Sequence, residues 1–169
     1  MKLIAAIYTA ATAIVLGGCA TNAPSSSTSA EVAGASIPQR GLPAQNLEIG
    51  ECGLFLWSIS GDSTFVFFSK ANSNAAKMLI GDEEQDLTLT AATGDIFGQF
   101  TTQQTFRATR TDHVIELAVQ PGENMIDGQR VGRGHLNVID PNGWETTIPV
   151  SGARACVSQP APSAVPLGS

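Results

Sequence analysis

Between positions 47 and 157, hydrophobic and polar residues alternate mostly with a period of two, which is typical of β-strands with one buried face. Such runs cover positions 53–58, 64–69, 87–91, 96–106, 113–119, 136–139 and 144–150. Turn signals separate them, namely Ser60-Gly61-Asp62, Pro121-Gly122, Asp127-Gly128 and Pro141-Asn142-Gly143. Because no long helical pattern intervenes, the sequence predicts an all-β domain of about eight short antiparallel strands, as a small barrel or a sandwich.

Three places in this pattern leave alternatives open. Asn72–Leu79 fits two helical turns, whereas Lys77–Ile80 fits a strand equally well. Gly98 interrupts an apolar run and predicts a bulge. Phe67 and Phe68 are consecutive, so in a regular strand they point to opposite faces, and either one is exposed or both faces are covered.

The chain begins with one lysine, an apolar stretch from Leu3 to Leu16 and small residues, which is the layout of a secretory signal peptide. Leu16-Gly17-Gly18-Cys19 resembles the lipobox of bacterial lipoproteins. The resemblance implies cleavage after a signal peptide of residues 1–18 and attachment of palmitate-type acyl chains through Cys19. Ala20 follows the cysteine where an aspartate would favour the inner membrane, so the resemblance implies the outer membrane, on its periplasmic or surface face.

The charge of the chain limits its partners. Lys and Arg number 9 and Asp and Glu 15; removal of residues 1–18 takes away only Lys2, which leaves 8 against 15 and a formal charge of −7. Such a chain repels phosphate backbones, so we expect no nucleic-acid partner. The lipid, rather than charge, is the predicted membrane attachment.

Residues 19–46 are rich in Ala, Ser, Thr, Pro and Gly, which predicts a lipidated flexible tether with a typical reach of roughly 30 Å. Residues 158–169 contain three prolines and predict a disordered tail. The remaining residues, 47–157, are enough for one compact β-domain.

With Cys19 assigned to lipid, Cys52 and Cys156 remain, one near each end of the domain. In an exported protein this favours a disulfide between them. The alternative is that Cys52 is a nucleophile, but Cys52-Gly53-Leu54-Phe55-Leu56-Trp57 lacks the second cysteine of the papain-like motif. The apolar run after Cys52 also indicates burial rather than access to solvent.

Arg130, Arg133 and His135 form a small basic cluster with intervening glycines, in which backbone N–H groups could approach an anion. A phosphate, carboxylate or sugar acid is the ligand that this pattern favours. The spacing matches no phosphate-binding loop. Ordinary solvated arginines are the interpretation that the sequence favours over such a site.

Other polar clusters give weaker indications. His113 follows Asp112 and precedes Glu116, a set that a hydrolase could use, although adjacent strand residues point to opposite faces. The acidic run from Asp82 to Asp86 lacks the alternation of a calcium loop and predicts a solvated turn. No common motif for catalysis, metal or cofactor binding occurs, so the sequence predicts no catalytic residue, metal or cofactor.

Two functions fit these features. The first is a non-enzymatic, lipid-anchored envelope protein that binds a protein or glycan partner or has a structural role. In size, predicted disulfide and architecture, the chain looks like the small periplasmic β-barrel lysozyme inhibitors, a resemblance of general layout that assigns no residues. The second is an envelope hydrolase with a site around His113 or His135.

Overall fold

The computed structural model describes Pro38 and residues 40–158. The predicted signal peptide, Cys19 and residues 159–169 of the predicted tail lie outside the described residues. The strands are β1 (Cys52–Ser58), β2 (Phe65–Lys70), β3 (Ala75–Ile80), β4 (Glu83–Phe97), β5 (Phe100–Ala108), β6 (Val114–Met125), β7 (Gly128–Ile139) and β8 (Glu145–Cys156). Within the described part of the chain there is no helix long and apolar enough to span a membrane.

Each strand pairs antiparallel with the next, and β8 pairs with β1 to close a barrel. The predicted all-β fold of about eight antiparallel strands is therefore confirmed, and its architecture is the barrel. Closure requires a close approach of backbones at Gly152, where an added Cβ would lie 1.9 Å from the carbonyl oxygen of Phe55. A larger residue at this position would push β8 away from β1.

The barrel interior is filled with apolar side chains from all eight strands. The largest of these buried residues are Phe67, Phe106, Leu54, Leu56, Met78, Leu87, Ile115, Leu117, Leu136 and Ile148. Since inward residues alternate with outward ones on each strand, the period of two in the sequence corresponds to the two sides of the barrel wall. A ligand therefore has to bind at a barrel end or on the outer wall.

A second apolar cluster covers part of the outer wall. Phe68 and Leu79 are buried there against Leu42, whose backbone N–H donates to the Phe65 carbonyl oxygen at 2.7 Å. Leu42 lies in the segment that was predicted from the sequence to be a flexible tether. Because it packs on the barrel wall, we name residues 40–49 the N-terminal strap. The strap explains why Phe67 and Phe68 are both buried: Phe67 faces the interior and Phe68 lies in the outer cluster.

The structure resolves the other two ambiguous segments and corrects one predicted turn. Residues 75–80 form strand β3 and no helix. Gly98 lies in the turn between β4 and β5 instead of in a bulge, because Phe97 pairs with Phe100 across that turn. The turn predicted at Pro121-Gly122 is wrong. These residues lie within β6, at an irregularity of its pairing with β7.

Cys52 and Cys156 are opposite each other on β1 and β8 and form a disulfide. This confirms the predicted bond, and neither cysteine is available as a nucleophile. We name this end of the barrel the disulfide end. The β2–β3, β4–β5 and β6–β7 turns lie at the same end, because successive strands run in opposite directions.

Candidate functional site

A cavity of about 420 Å³ opens at the disulfide end. We name it the end cavity. It lies between the β2–β3 turn and the β4–β5 hairpin, and its lining comprises Ser69, Lys70, Ala71, Asn72, Ser73, Asn74, Leu89, Ala92, Gln99, Phe100, Thr101, Gln104 and Phe106. Its volume falls within the range of about 300–1,000 Å³ that is typical of small-ligand sites.

The β4–β5 hairpin positions one wall of the end cavity. Phe97 and Phe100, on either side of its turn, are both buried in the barrel core. Gly98 between them has φ +63°, and an added Cβ would lie 2.8 Å from Cδ of Arg154 on β8. The turn therefore lies against Arg154, and this packing places Gln99 and Phe100 at the cavity.

Ser69 contributes a buried hydroxyl to the end cavity. It lies near the end of β2, paired with Leu54 of β1 and Ala76 of β3, and only 3% of its surface is exposed. Its Oγ has no hydrogen-bond partner among the described residues. A buried hydroxyl without a partner costs about 1–3 kcal/mol, so a ligand group that bonded Ser69 would recover part of that free energy.

Gln104 of β5 contributes the second buried polar group of the cavity wall, with 7% of its surface exposed. Its Nε2 donates to the Thr101 carbonyl oxygen at 3.0 Å, and this bond fixes the orientation of the amide. Leu89 and Phe106, which also line the cavity, supply apolar surface beside it. The site thus combines oriented polar groups with an apolar wall.

The end cavity is close to electrically neutral. Lys70 is the one charged residue in its lining, and Lys70 Nζ lies 2.8 Å from the Glu51 carboxylate. The backbone N–H of Glu48 and, to a lesser degree, Lys70 hold the pKa of Glu51 below its usual value. Glu51 therefore stays ionised at neutral pH and balances the charge of Lys70.

The three residues of the predicted basic cluster are divided between two depressions of the outer wall. Arg133 and His135 are exposed and line one of about 270 Å³, together with Gln103 of β5. Arg130 lines the other, of about 370 Å³, which runs past Trp57 and over the small residues of β8. An irregularity of the β7–β8 pairing between Val131 and Gly134 lies between these two positions. The prediction of an anion site at these residues remains a prediction.

The two histidines of the predicted hydrolase sites are not brought together. His113 precedes β6, and its Nδ1 lies 2.8 Å from Thr111 Oγ1. His135 pairs with Ala118, five residues further along β6, which corresponds to roughly 17 Å between the two histidine positions. Asp112 lies 4.0 Å from Arg107 Nη1.

The acidic run from Asp82 to Asp86 was predicted as a solvated turn, but most of it lies in a strand and takes part in ion pairs. Glu83 to Asp86 open β4, and Lys77 on β3 pairs with Glu84 and lies 3.2 Å from Asp86. Among the described residues, no group of three or more His, Cys, Asp or Glu side chains is arranged to hold a metal ion.

The end cavity was not predicted from the sequence, although the sequence contains a signal for it. In the period-of-two pattern, Gln104 falls on the same side of its strand as Phe106 and Ala108. Ser69 likewise falls on the same side as Phe67. A polar residue on the buried side of a strand is either a core residue whose hydrogen bonds are made within the protein or part of a binding site. Only the three-dimensional structure distinguishes these, because the partners are distant in sequence.

No protein-family model, curated protein or solved structure matches this chain. Its function is therefore inferred from its own residues and geometry.

Proposed function

We propose that this protein is a lipid-anchored component of the bacterial outer membrane, and that its barrel binds an envelope partner, a glycan or a protein, without catalysing a reaction. The lipobox-like sequence ending at Cys19 supports the anchor. The predicted tether after it supports a barrel that extends from the lipid surface. The disulfide between Cys52 and Cys156 is compatible with an oxidising compartment such as the periplasm.

The observation that carries the binding role is the unpartnered Ser69 hydroxyl in the end cavity. Buried polar groups in proteins almost always have hydrogen-bond partners, and exceptions mark strain, bound solvent or a functional site. Three such groups occur among the described residues, Ser69 Oγ, Gln85 Oε1 and Arg154 Nε. Of these three residues, Ser69 is the one in the lining of the end cavity, which carries a second buried polar residue, Gln104, and apolar side chains. This combination of convergent polar groups and apolar surface is typical of ligand sites.

The chemistry of the lining supports binding rather than catalysis. The residues around the cavity carry hydroxyl, amide and ammonium groups, and none of them is a histidine, cysteine or carboxylate. Ser69 therefore has no general base beside it within that lining, which a nucleophilic serine would need.

One experiment in living cells tests both parts of the proposal. Cells that produce the wild-type protein or Cys19→Ser are fed an alkyne-tagged palmitate, and the membranes are then isolated. We expect label on the wild type alone, because Cys19→Ser lacks the thiol that would carry the lipid. Absence of label from the wild type, or equal label on both proteins, would contradict lipid anchoring.

The same cells are treated with a crosslinker to test the binding site. Asn74→Trp places a bulky ring at the cavity lining, and the matched control Thr147→Trp places one on the exposed outer wall of β8. Material crosslinked to the wild type should be lost with Asn74→Trp and kept with Thr147→Trp. Identical recovery from all three proteins would exclude the end cavity as the partner site.

A further inference from the structure

We propose that the end cavity binds a neutral saccharide unit of a glycan, a proposal that rests on the binding role inferred above and names its ligand. Three properties of the cavity carry it: the kind of hydrogen-bonding groups in its lining, the apolar surface beside them and the balance of charge.

The hydrogen-bonding groups suit sugar hydroxyl and acetamido groups. Side-chain amides come from Asn72, Asn74, Gln99 and Gln104, and hydroxyls from Ser69, Ser73 and Thr101. Amides and hydroxyls both donate and accept hydrogen bonds, as sugar hydroxyls do, so each ligand group can find a partner in either role. Ser69 is 3% exposed, and its buried Oγ has no partner, so a ligand that reached this oxygen would gain a bond that no described residue now makes.

The apolar part of the lining suits the C–H faces of a sugar ring. Phe100 and Phe106 line the cavity together with Leu89 and Ala92. Leu89 is half-buried and Ala92 is exposed, so these two residues present most of the apolar surface, while the two aromatic rings belong to the barrel core and are almost completely buried. A saccharide presents C–H groups and hydroxyls on one small ring, which matches this adjacent polar and apolar surface.

The balance of charge disfavours an ionic ligand. Lys70 is already paired with Glu51 at 2.8 Å, so neither a strong anion nor a strong cation would meet an unneutralised counter-charge in the lining. A desolvated ion without a partner is costly. A neutral ligand avoids this cost.

The test uses the intact lipoprotein in micelles of a detergent without a sugar headgroup. Saturation-transfer NMR and calorimetry measure binding of the disaccharides diacetylchitobiose and maltose, with glucuronic acid and a neutral tripeptide as comparison ligands. We expect a neutral disaccharide to bind and Ser69→Ala to weaken it about five- to tenfold, the effect of one lost hydrogen bond. Ser58→Ala, a buried serine outside the cavity lining, should leave the affinity unchanged.

Three results would overturn the proposal: neither disaccharide binds at millimolar concentration, Ser69→Ala binds as tightly as the wild type, or glucuronic acid or the tripeptide binds in preference. If crosslinking in cells still depends on Asn74, such a result refutes the saccharide alone and leaves the binding role standing. If a disaccharide binds but wild-type crosslinking yields no partner, the saccharide site stands and the proposed envelope partnership fails.

Discussion

Two buried serines illustrate how residues of one type can have opposite roles. Ser58 is fully buried, and its Oγ both donates to the Ser60 carbonyl oxygen and accepts from the Ser60 N–H. Ser69 is almost as buried, with 3% of its surface exposed, yet its Oγ has no partner among the described residues. From the sequence alone the two serines cannot be distinguished, because both are small polar residues in strands. Their difference arises from which groups the fold brings within hydrogen-bond distance.

The two serines should respond differently to removal of the hydroxyl. Ser58→Ala should lower the free energy of unfolding by about 1 kcal/mol, because it breaks satisfied hydrogen bonds. Ser69→Ala should leave it unchanged or raise it by up to about 1 kcal/mol, because the desolvation cost disappears with the hydroxyl. Urea unfolding followed by tryptophan fluorescence measures both. Equal losses would mean that Ser69 also has a structural partner.

At the scale of elements, turns show how far the sequence determines local structure. Pro141-Asn142-Gly143 was predicted as a turn and joins β7 to β8, with Gly143 at φ +87°. Gly98 also has positive φ, yet it forms a turn where the sequence predicted a bulge. A glycine permits both conformations, and the pairing of the flanking strands decides between them.

Asp140 stabilises the β7–β8 turn. Its Oδ1 accepts hydrogen bonds from the backbone N–H of Asn142 at 2.8 Å and of Trp144 at 2.9 Å. The Trp144 bond, followed by those from Asn142, holds the pKa of Asp140 below its ordinary value of 3.8. Because the folded pKa is the lower one, this stabilisation is present above about pH 4 and is lost as the pH falls through the folded pKa.

Asp140→Ala should therefore be less stable than the wild type at pH 7, and the difference should shrink as the pH falls below 3.8. Thermal unfolding at several pH values measures it. The control Asp62→Ala removes an exposed carboxylate from the β1–β2 connection and should leave the pH profile of stability close to that of the wild type. A difference for Asp140→Ala that stays constant down to pH 2 would show that the carboxylate charge contributes nothing.

At the scale of the whole molecule, the β1–β8 pairing converts a row of strands into a barrel. Cys52 and Cys156 are cross-strand partners in that pairing, and Gly152 lets the two backbones approach. The disulfide therefore links covalently the two strands whose pairing closes the fold. These strands are also the first and the last, so the bond closes a loop over a sequence separation of 104.

Reduction of this bond should destabilise the protein substantially. Loop-closure entropy for about 100 residues corresponds to roughly 4.7 kcal/mol, which is large beside a typical domain stability of about 5–15 kcal/mol. Urea unfolding with and without a reducing agent measures the loss. The double variant Cys52→Ala/Cys156→Ala should be destabilised without reductant and insensitive to it. An unchanged unfolding midpoint of the reduced wild type would contradict this role.

The sequence by itself determined most of the strands, most of the turns and the cysteine pair, because side-chain alternation, turn residues and cysteine count are local or countable properties. It did not decide between a barrel and a sandwich, since inward and outward residues alternate identically in both and closure depends on contacts between opposite ends of the chain. Only the tertiary structure showed that Phe68 is covered by the strap and that Ser69 and Gln104 meet at one cavity. Both results depend on segments that are distant in sequence and become neighbours when the barrel closes.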